Sequence, residues 1–526
     1  MAELLEAGPA PSLTAAPGPP APDARLPGLL LAAVAVIATC GLIYELIAGT
    51  LASYLLGDSV TQFSTIIGAY LFAMGIGSWL SKFLDGPLLR WFIRLEILVG
   101  IVGGCMAPLL FLSFEYVASF RLLLYTLVGL TGILVGLEIP LLMRILEHRY
   151  PFKDLVARVF TFDYIGALLA SLIFPLVLVP QLGLIRTSLV FGALNLAVAA
   201  VVLVRFPETR PYRRRFGAGI AAALLGLGVL FVFANKLLAY TETLAFQDQV
   251  IYSKSTPYQR IVLTRNPREL RLFLNGNLQF SSADEYRYHE ALVHPVMSAH
   301  GAPKKVAVLG GGDGMAVREI LKYASVESVT LVELDPAMTD VFANRPALAR
   351  LNGDALRSPK VRIVHQDAFK WLETTPEVFD VVIVDFPDPT NFSIGKLYTT
   401  SFYALLDQHL AASGYAVVQT TSPLVARRSF WTVVTTLEAA GFATTPYHAN
   451  VPSFGEWGFV VASHRPFSPT TQAGDLPPGL RYLNPQTLPL LFNFPQDMAR
   501  VPAAVNRLSN QELVYTYERE WGKAAP

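Results

Sequence analysis

Apolar residues crowd the first half of the chain and thin out in the second. Between residues 28 and 237 they form about seven long runs: 28–55, 62–84, 92–114, 120–145, 156–180, 185–205 and 216–237. Each approaches or exceeds the ~20 apolar residues that a helix needs to cross a bilayer. After Leu238 the pattern changes. Residues 250–280 alternate apolar and polar, and Asn275-Gly276 supplies a hairpin turn, which predicts a small antiparallel β unit. From Lys304 short apolar runs alternate with helical stretches. They predict strands over Val306–Leu309, Val329–Val332, Val361–His365, Phe379–Val384 and Tyr415–Thr420, with a helix over Met315–Tyr323. Two further runs, Thr444–Tyr447 and Gly458–Ser463, suit a hairpin at the sheet edge.

Strands alternating with helices imply a parallel sheet. The expected fold is an N-terminal α-helical membrane bundle followed by an α/β Rossmann-like, class I methyltransferase-type doubly wound domain with a small N-terminal β unit. The expected segments are a disordered tail (1–26), the bundle (27–238), the β unit (245–300), the Rossmann-like domain (301–470) and a C-terminal extension (471–526). The Ala- and Pro-rich tail lacks the basic start of a signal peptide.

Composition sharpens this division. Only 15% of the residues are charged, against about a quarter in globular proteins. The net charge of +1 gives no sign of a nucleic-acid partner. Small residues recur in the bundle (Gly68, Gly75, Gly77, Gly100, Gly103 and Gly104) and permit close helix packing. Glu45, Glu96, Glu138 and Asp163 fall at or near membrane depth, where acids face a partner or a cavity; Arg94 and Arg144 are the nearest candidate partners. Cys40 and Cys105 lie in apolar runs and form no disulfide framework. The basic loops 82–94, 144–158 and 205–215 conflict with substrate supply. Placed inside, they leave the C-terminal half outside after seven spans, whereas the cytosol is the side favoured here.

Candidate chemistry lies at the ends of the predicted strands, where doubly wound sheets bind ligands. Gly310, Gly311 and Gly312 let backbone approach a ligand. Asp313 within the same turn disfavours a pyrophosphate and suits a cation. Glu333, 23 residues after Gly310, is placed to accept both ribose hydroxyls. Asp367 is placed to accept from an adenine amino group, or to cap the following helix. Asp385 and Asp388 share the loop after the fourth strand, beside the expected cationic ligand. There a carboxylate can take a proton from an attacking amine, although Asp and Pro also favour a plain turn. No Cys/His cluster has metal-ligand spacing, so no metal is expected.

GGGDGMAVREILKY, LVELDP, HQDAF and VDFPDP, preceded by PYQRIVL, LNGNLQFSSADEYRYHE and LVHP, resemble the spermidine synthase (polyamine aminopropyltransferase) family over residues 250–465. The whole chain resembles its membrane-anchored bacterial branch. The resemblance implies transfer of an aminopropyl group from decarboxylated S-adenosylmethionine to putrescine, giving spermidine and methylthioadenosine, with no cofactor besides that co-substrate. It implies that Gln259 contacts the nucleoside and that Tyr288 and His289 line the amine channel. Asp313 would bind an ammonium, Glu333 the ribose, and Asp367 with Ala368 the adenine. Asp385 would accept the proton and Asp388 would bind the acceptor amine. It also implies a homo-oligomer, a dimer, at the inner membrane. The segment Thr390–Lys396 departs from the family's Gly-Pro gate, and Arg427 and Arg428 follow the fifth strand, where they would repel a polyamine or cap a helix. Glu456 is a further candidate for amine binding. A methyltransferase and a polyamine transporter or sensor are the alternatives; Asp313 disfavours a donor bearing the methionine carboxylate.

Overall fold

The computed structural model describes residues 25–56, 59–114, 120–147, 149–246, 248–468 and 476–524. The expected tail lies outside the described residues, save Arg25 and Leu26, which open the first helix. The chain divides into two compact units, one holding most of the bundle up to Ala234 and one holding everything from Asn235 onward together with 49–65 and 111–118.

The bundle contains α1 (Arg25–Leu56), α2 (Ser59–Leu80), α3 (Leu88–Ser113), α4 (Phe120–Leu146), α5 (Phe152–Ile173), α6 (Val179–Arg205) and α7 (Arg213–Phe246). Among the described residues, six continuous helical stretches are long and apolar enough to cross a membrane, where the sequence suggested seven. The difference arises because a π turn, Phe174–Leu178, joins α5 to α6 into one stretch of 54 residues. At 1.5 Å per residue that stretch is roughly 80 Å long, more than twice a hydrocarbon core. Gly183 breaks it with φ +72°, between the two runs read from the sequence.

Small residues set the packing in part. A methyl on Gly100 would lie 2.8 Å from the Gly192 carbonyl oxygen, so α3 and α6 meet backbone to backbone. Gly68 and Gly75 face open space, contrary to expectation. Nor do the arginines pair with the acids. Arg144 donates to the Ser81 carbonyl at 2.9 Å and lies 3.8 Å from Asp85. Glu96 accepts from Asn195 at 3.0 Å, and Asn195 accepts from Tyr44 at 3.1 Å. Glu138 is fully buried with neither carboxyl oxygen hydrogen-bonded.

The C-terminal half opens with a four-stranded antiparallel sheet: β1 (Gln249–Ser255), β2 (Arg260–Arg265), β3 (Leu270–Leu274) and β4 (Asn277–Ser281). Asn275 and Gly276 both take positive φ, as a tight hairpin turn requires. Helix α8 (Glu285–His300) follows. The second sheet contains β5 (Lys305–Gly310), β6 (Ser328–Glu333), β7 (Val361–His365), β8 (Phe379–Asp385), β9 (Leu410–Gln419), β10 (Ala443–Val451) and β11 (Gly455–Ser463). Its order is β10-β11-β9-β8-β5-β6-β7, parallel from β7 to β9 and antiparallel beyond. Successive residues of β5 point to opposite faces. Val306 and Val308 enter one core with α8 and the first sheet; Ala307 and Leu309 enter the other with Trp371, Phe402 and Phe430. Helix α9 is short, Met315–Ile320. The edge hairpin is longer than expected because β10 and β11 pair over their full lengths.

Gly310 ends β5 with φ +83°, and a methyl there would lie 2.2 Å from the Asp385 carbonyl oxygen. Gly310→Ala is expected to destabilise the protein by about 2 kcal/mol or more, through left-handed strain and this clash. Thermal melts of the detergent-purified protein would show it, and an unchanged melting temperature would contradict the geometry.

Candidate active site

The glycine turn lies between two carboxylates. Gly310 pairs in register with Asp385 across β5 and β8. A methyl on Gly311 would lie 2.9 Å from Asp385 Oδ2, and one on Gly312 would lie 2.6 Å from Glu333 Oε2. Glu333 is held at the end of β6 by two backbone donors. Gly312 N–H reaches Oε2 at 3.1 Å, and Asp335 N–H reaches Oε1 at 2.9 Å. Burial pushes its carboxyl up to about 7, although both N–H groups pull the other way. Asp313 accepts from Met315 N–H at 2.9 Å, and Asn352 donates to its carbonyl at 2.8 Å, which fixes the turn.

Helix α8 brings two side chains to Asp385. The Tyr288 hydroxyl donates to Asp385 Oδ1 at 2.6 Å. The next residue, His289, is buried, with Nδ1 2.8 Å from Glu285 Oε2 one turn back. Burial would depress this imidazole, but the Glu285 carboxylate, with Asp313 and Asp385, raises it to about 9. It therefore carries a positive charge at neutral pH. Burial pushes Asp385 up to about 6, opposed by this imidazolium and by the Tyr288 hydroxyl. Behind them Arg318 donates to both Glu285 oxygens, at 3.0 and 2.9 Å, and to Glu319 at 2.8 Å. Glu285 is held down near 2 despite burial. Sequence reasoning missed Glu285 and Arg318. The four-residue spacing from Glu285 to His289 on a helix was the available signal.

Asp388 occupies a separate position. The Tyr517 hydroxyl, from the C-terminal helix Glu512–Ala524, donates to its Oδ2 at 2.7 Å. Its Oδ1 is buried without a hydrogen-bond partner. Burial raises the carboxyl to about 7, while the Tyr517 hydroxyl and, less strongly and without a formed hydrogen bond to Oδ1, the Gln419 and Thr421 side chains pull it down. Gln419, at the end of β9, donates to the Phe386 carbonyl and to the Tyr398 hydroxyl, and accepts from Trp457 Nε1 at 3.1 Å. Tyr517 lies 129 residues from Asp388 in sequence, with no local pattern linking them.

The remaining expected residues are placed as follows. Asp367 caps the helix Ala368–Thr374 by accepting from Phe369 N–H at 2.9 Å, and its other oxygen takes Lys396 Nζ at 2.6 Å. The capping role weighed from the sequence is thus present, with a lysine from the unusual gate segment added. Ala368 is the buried first residue of that helix. Gln259, just before β2, donates to Asp335 at 3.1 Å and so reaches the loop after Glu333. Arg427 donates to the Ala499 carbonyl at 2.7 Å and the Gln496 carbonyl at 3.1 Å; it holds the C-terminal extension. Glu456 accepts from Asn450 and lies 2.8 Å from His448, so both oxygens have protein partners.

The spermine/spermidine synthase domain matches residues 285–472. The chain is 51% identical over 496 residues to a polyamine aminopropyltransferase of Leptospira interrogans, covering 94% of this chain and 99% of that one. The chain belongs to the spermidine synthase (polyamine aminopropyltransferase) family. Polyamine aminopropyltransferase 1 of Ralstonia nicotianae is 52% identical, covering 98% of this chain and 99% of its own. The solved spermidine synthase of Thermotoga maritima is 29% identical, covering 47% of this chain and 84% of its own, at a TM-score of 0.43. The family match contains Tyr288, His289, the glycine turn, Glu333, Asp367, Asp385 and Asp388, while the C-terminal helix lies beyond it.

His289 binds its proton more tightly when folded, about 9 against an ordinary 6.5. Its charge therefore contributes stability fully below pH 6.5, and that contribution is lost as pH rises through about 9. The melting temperature is expected to fall further across this window in the wild type than in His289→Gln; equal falls would count against a charged His289.

Proposed function

We propose that the protein transfers an aminopropyl group from decarboxylated S-adenosylmethionine to a diamine, putrescine foremost, giving spermidine and methylthioadenosine. The observation that carries this reading is the set of carboxylates around the glycine turn, with one buried Asp388 oxygen left free for a cation. The donor's sulfonium and ammonium and the acceptor's distal ammonium are all positive, which suits such a cavity. Glu333 has lone pairs left for the ribose hydroxyls, with Gln259 supporting the adjoining loop. Asp367 and Ala368 lie toward the adenine, once Lys396 yields. Asp313 takes an ammonium and would repel the carboxylate of intact S-adenosylmethionine, which disfavours a methyltransferase.

In the reaction, the acceptor's neutral nitrogen attacks the aminopropyl carbon next to sulfur. The carbon–sulfur bond breaks, and its electron pair leaves as the neutral thioether of methylthioadenosine. The new ammonium gives a proton to Asp385. With its carboxyl near 6, Asp385 is mostly ionised at neutral pH and is a competent general base. Tyr288 orients it, and the His289 charge keeps it ionised. Asp388 anchors the distal ammonium and so fixes the attack distance. No metal or further cofactor is needed.

The six apolar helical stretches anchor this enzyme in the inner membrane as a multi-pass protein, with the catalytic half on the cytoplasmic side where its donor is made, and the working unit is a dimer. Buried, unpartnered Glu138 favours a second reading, in which the bundle also moves a polyamine. Polyamine flux in proteoliposomes that survives Glu138→Gln would remove that support.

Purified protein given decarboxylated S-adenosylmethionine and a panel of diamines should release methylthioadenosine, and no release with any amine would sink the proposal. Asp385→Asn is expected to lower kcat by roughly a hundredfold or more. The wild-type rate should fall as pH drops through about 6, because the base must be ionised. Tyr288→Phe removes a hydrogen bond that holds this carboxyl down, so the acid limb should move to higher pH. A limb that stays in place would mean that Asp385 is not the titrating group.

A further inference from the structure

The helix Glu512–Ala524 lies beyond the matched synthase domain, yet its side chains reach the loop that carries Asp388. We infer that this C-terminal helix is the far wall of the acceptor-amine site, with Tyr517 positioning Asp388 and Trp521 limiting the length of amine admitted. The inference rests on the aminopropyl-transfer reading above.

The helix is built in rather than draped over the surface. Leu513 is fully buried in the core that also holds Trp371, Phe402 and Phe430. Asn506, just before it, accepts from Leu513 N–H at 3.2 Å and donates to the carbonyls of Gly395 and Tyr398 at 3.2 and 2.9 Å. At its other end Glu520 accepts from the backbone N–H groups of Arg428 and Ser429, both at 2.9 Å, and from the Ser429 hydroxyl at 2.6 Å. A carboxylate from one helix thereby caps the N-terminus of another, Arg427–Ala439. The helix is fixed at two points, and the same face carries Tyr517 and Trp521.

Tyr517 reaches Asp388 directly, and Trp521 stands beside Tyr517. The Tyr517 phenol occupies Oδ2 and leaves Oδ1 as the buried acceptor without a partner. Trp521 Nε1 donates to the Thr421 hydroxyl at 3.0 Å, which fixes the indole; its ring centre lies 6.0 Å from that of Tyr517 and 6.4 Å from that of Trp457. Three adjoining aromatic rings, one of them bonded to a half-buried carboxylate, suit an alkylammonium, which gains both the charge and the ring faces. Asp388 takes the acceptor's distal end, so the position of this wall sets how many methylenes fit between the wall and the reacting nitrogen.

The test is methylthioadenosine release by the purified full chain with diaminopropane, putrescine, cadaverine and the triamine spermidine. Tyr517→Phe keeps the ring and loses the donor. It is expected to raise KM for the amine about tenfold, the loss of one charged hydrogen bond, while KM for the nucleoside donor stays fixed. Trp521→Ala is expected to shift kcat/KM toward the longer amines by about tenfold relative to putrescine, and Trp521→Phe to restore the wild-type order. Variants that lose activity equally with every amine, with a lower melting temperature and a raised KM for the donor, would show the helix to be structural only and overturn the inference. Unchanged amine preference in well-folded variants would overturn it too. A wild type inactive with every amine would overturn the transfer reading itself, and this inference with it.

Discussion

Carboxylates buried against a turn of bare backbone are the constraint on which this site depends. Gly310 and Asp385 sit opposite one another because β5 and β8 pair in parallel register. A side chain on the turn would displace either Asp385 or Glu333. Burying acids in this way is unfavourable, and the raised titration of Glu333, Asp385 and Asp388 expresses that cost. The fold meets part of it with backbone N–H groups, a phenol and an imidazolium. A cationic ligand would meet the remainder, so this burial favours positively charged reactants.

The charges behind the site follow a hierarchy. Arg318 holds Glu285, Glu285 holds the proton on His289, and His289 faces Asp385 and Asp313. Each member is buried or half-buried, so removing one leaves an uncompensated charge in a medium of low dielectric. The chain of partners explains why α8, which lies outside the main sheet, is inseparable from the site: it supplies Glu285, Tyr288 and His289. Its Glu290 also accepts from three successive backbone N–H groups, those of Arg481, Tyr482 and Leu483, at 2.8 to 2.9 Å. One helix thus orients Asp385 and tethers the C-terminal extension.

Much of this was legible in the sequence for local reasons. Period-two and longer apolar patterns marked the strands and the bundle, and acids at strand ends marked the binding edge, because those signals depend on near neighbours in the chain. The readings that changed depended on distant neighbours. Gly75 and Gly77 lie two residues apart, yet only Gly77 meets another helix, since facing is set by the partner. Asp367 is engaged by Lys396, and neither Glu138 oxygen has a hydrogen-bond partner; neither follows from spacing.

The sequence by itself determined the two-part organisation, the parallel core of the sheet and the acids at its strand ends, because backbone periodicity and strand-end placement fix them. The tertiary structure alone decided which acids are free and which are engaged. Asp388 has one oxygen bound by Tyr517, distant in sequence, and the other buried without a partner. Asp385 titrates near 6 rather than higher because a charged histidine on another element faces it. Both are consequences of side chains meeting across the fold, where burial makes each partner's charge count far more than it would in water.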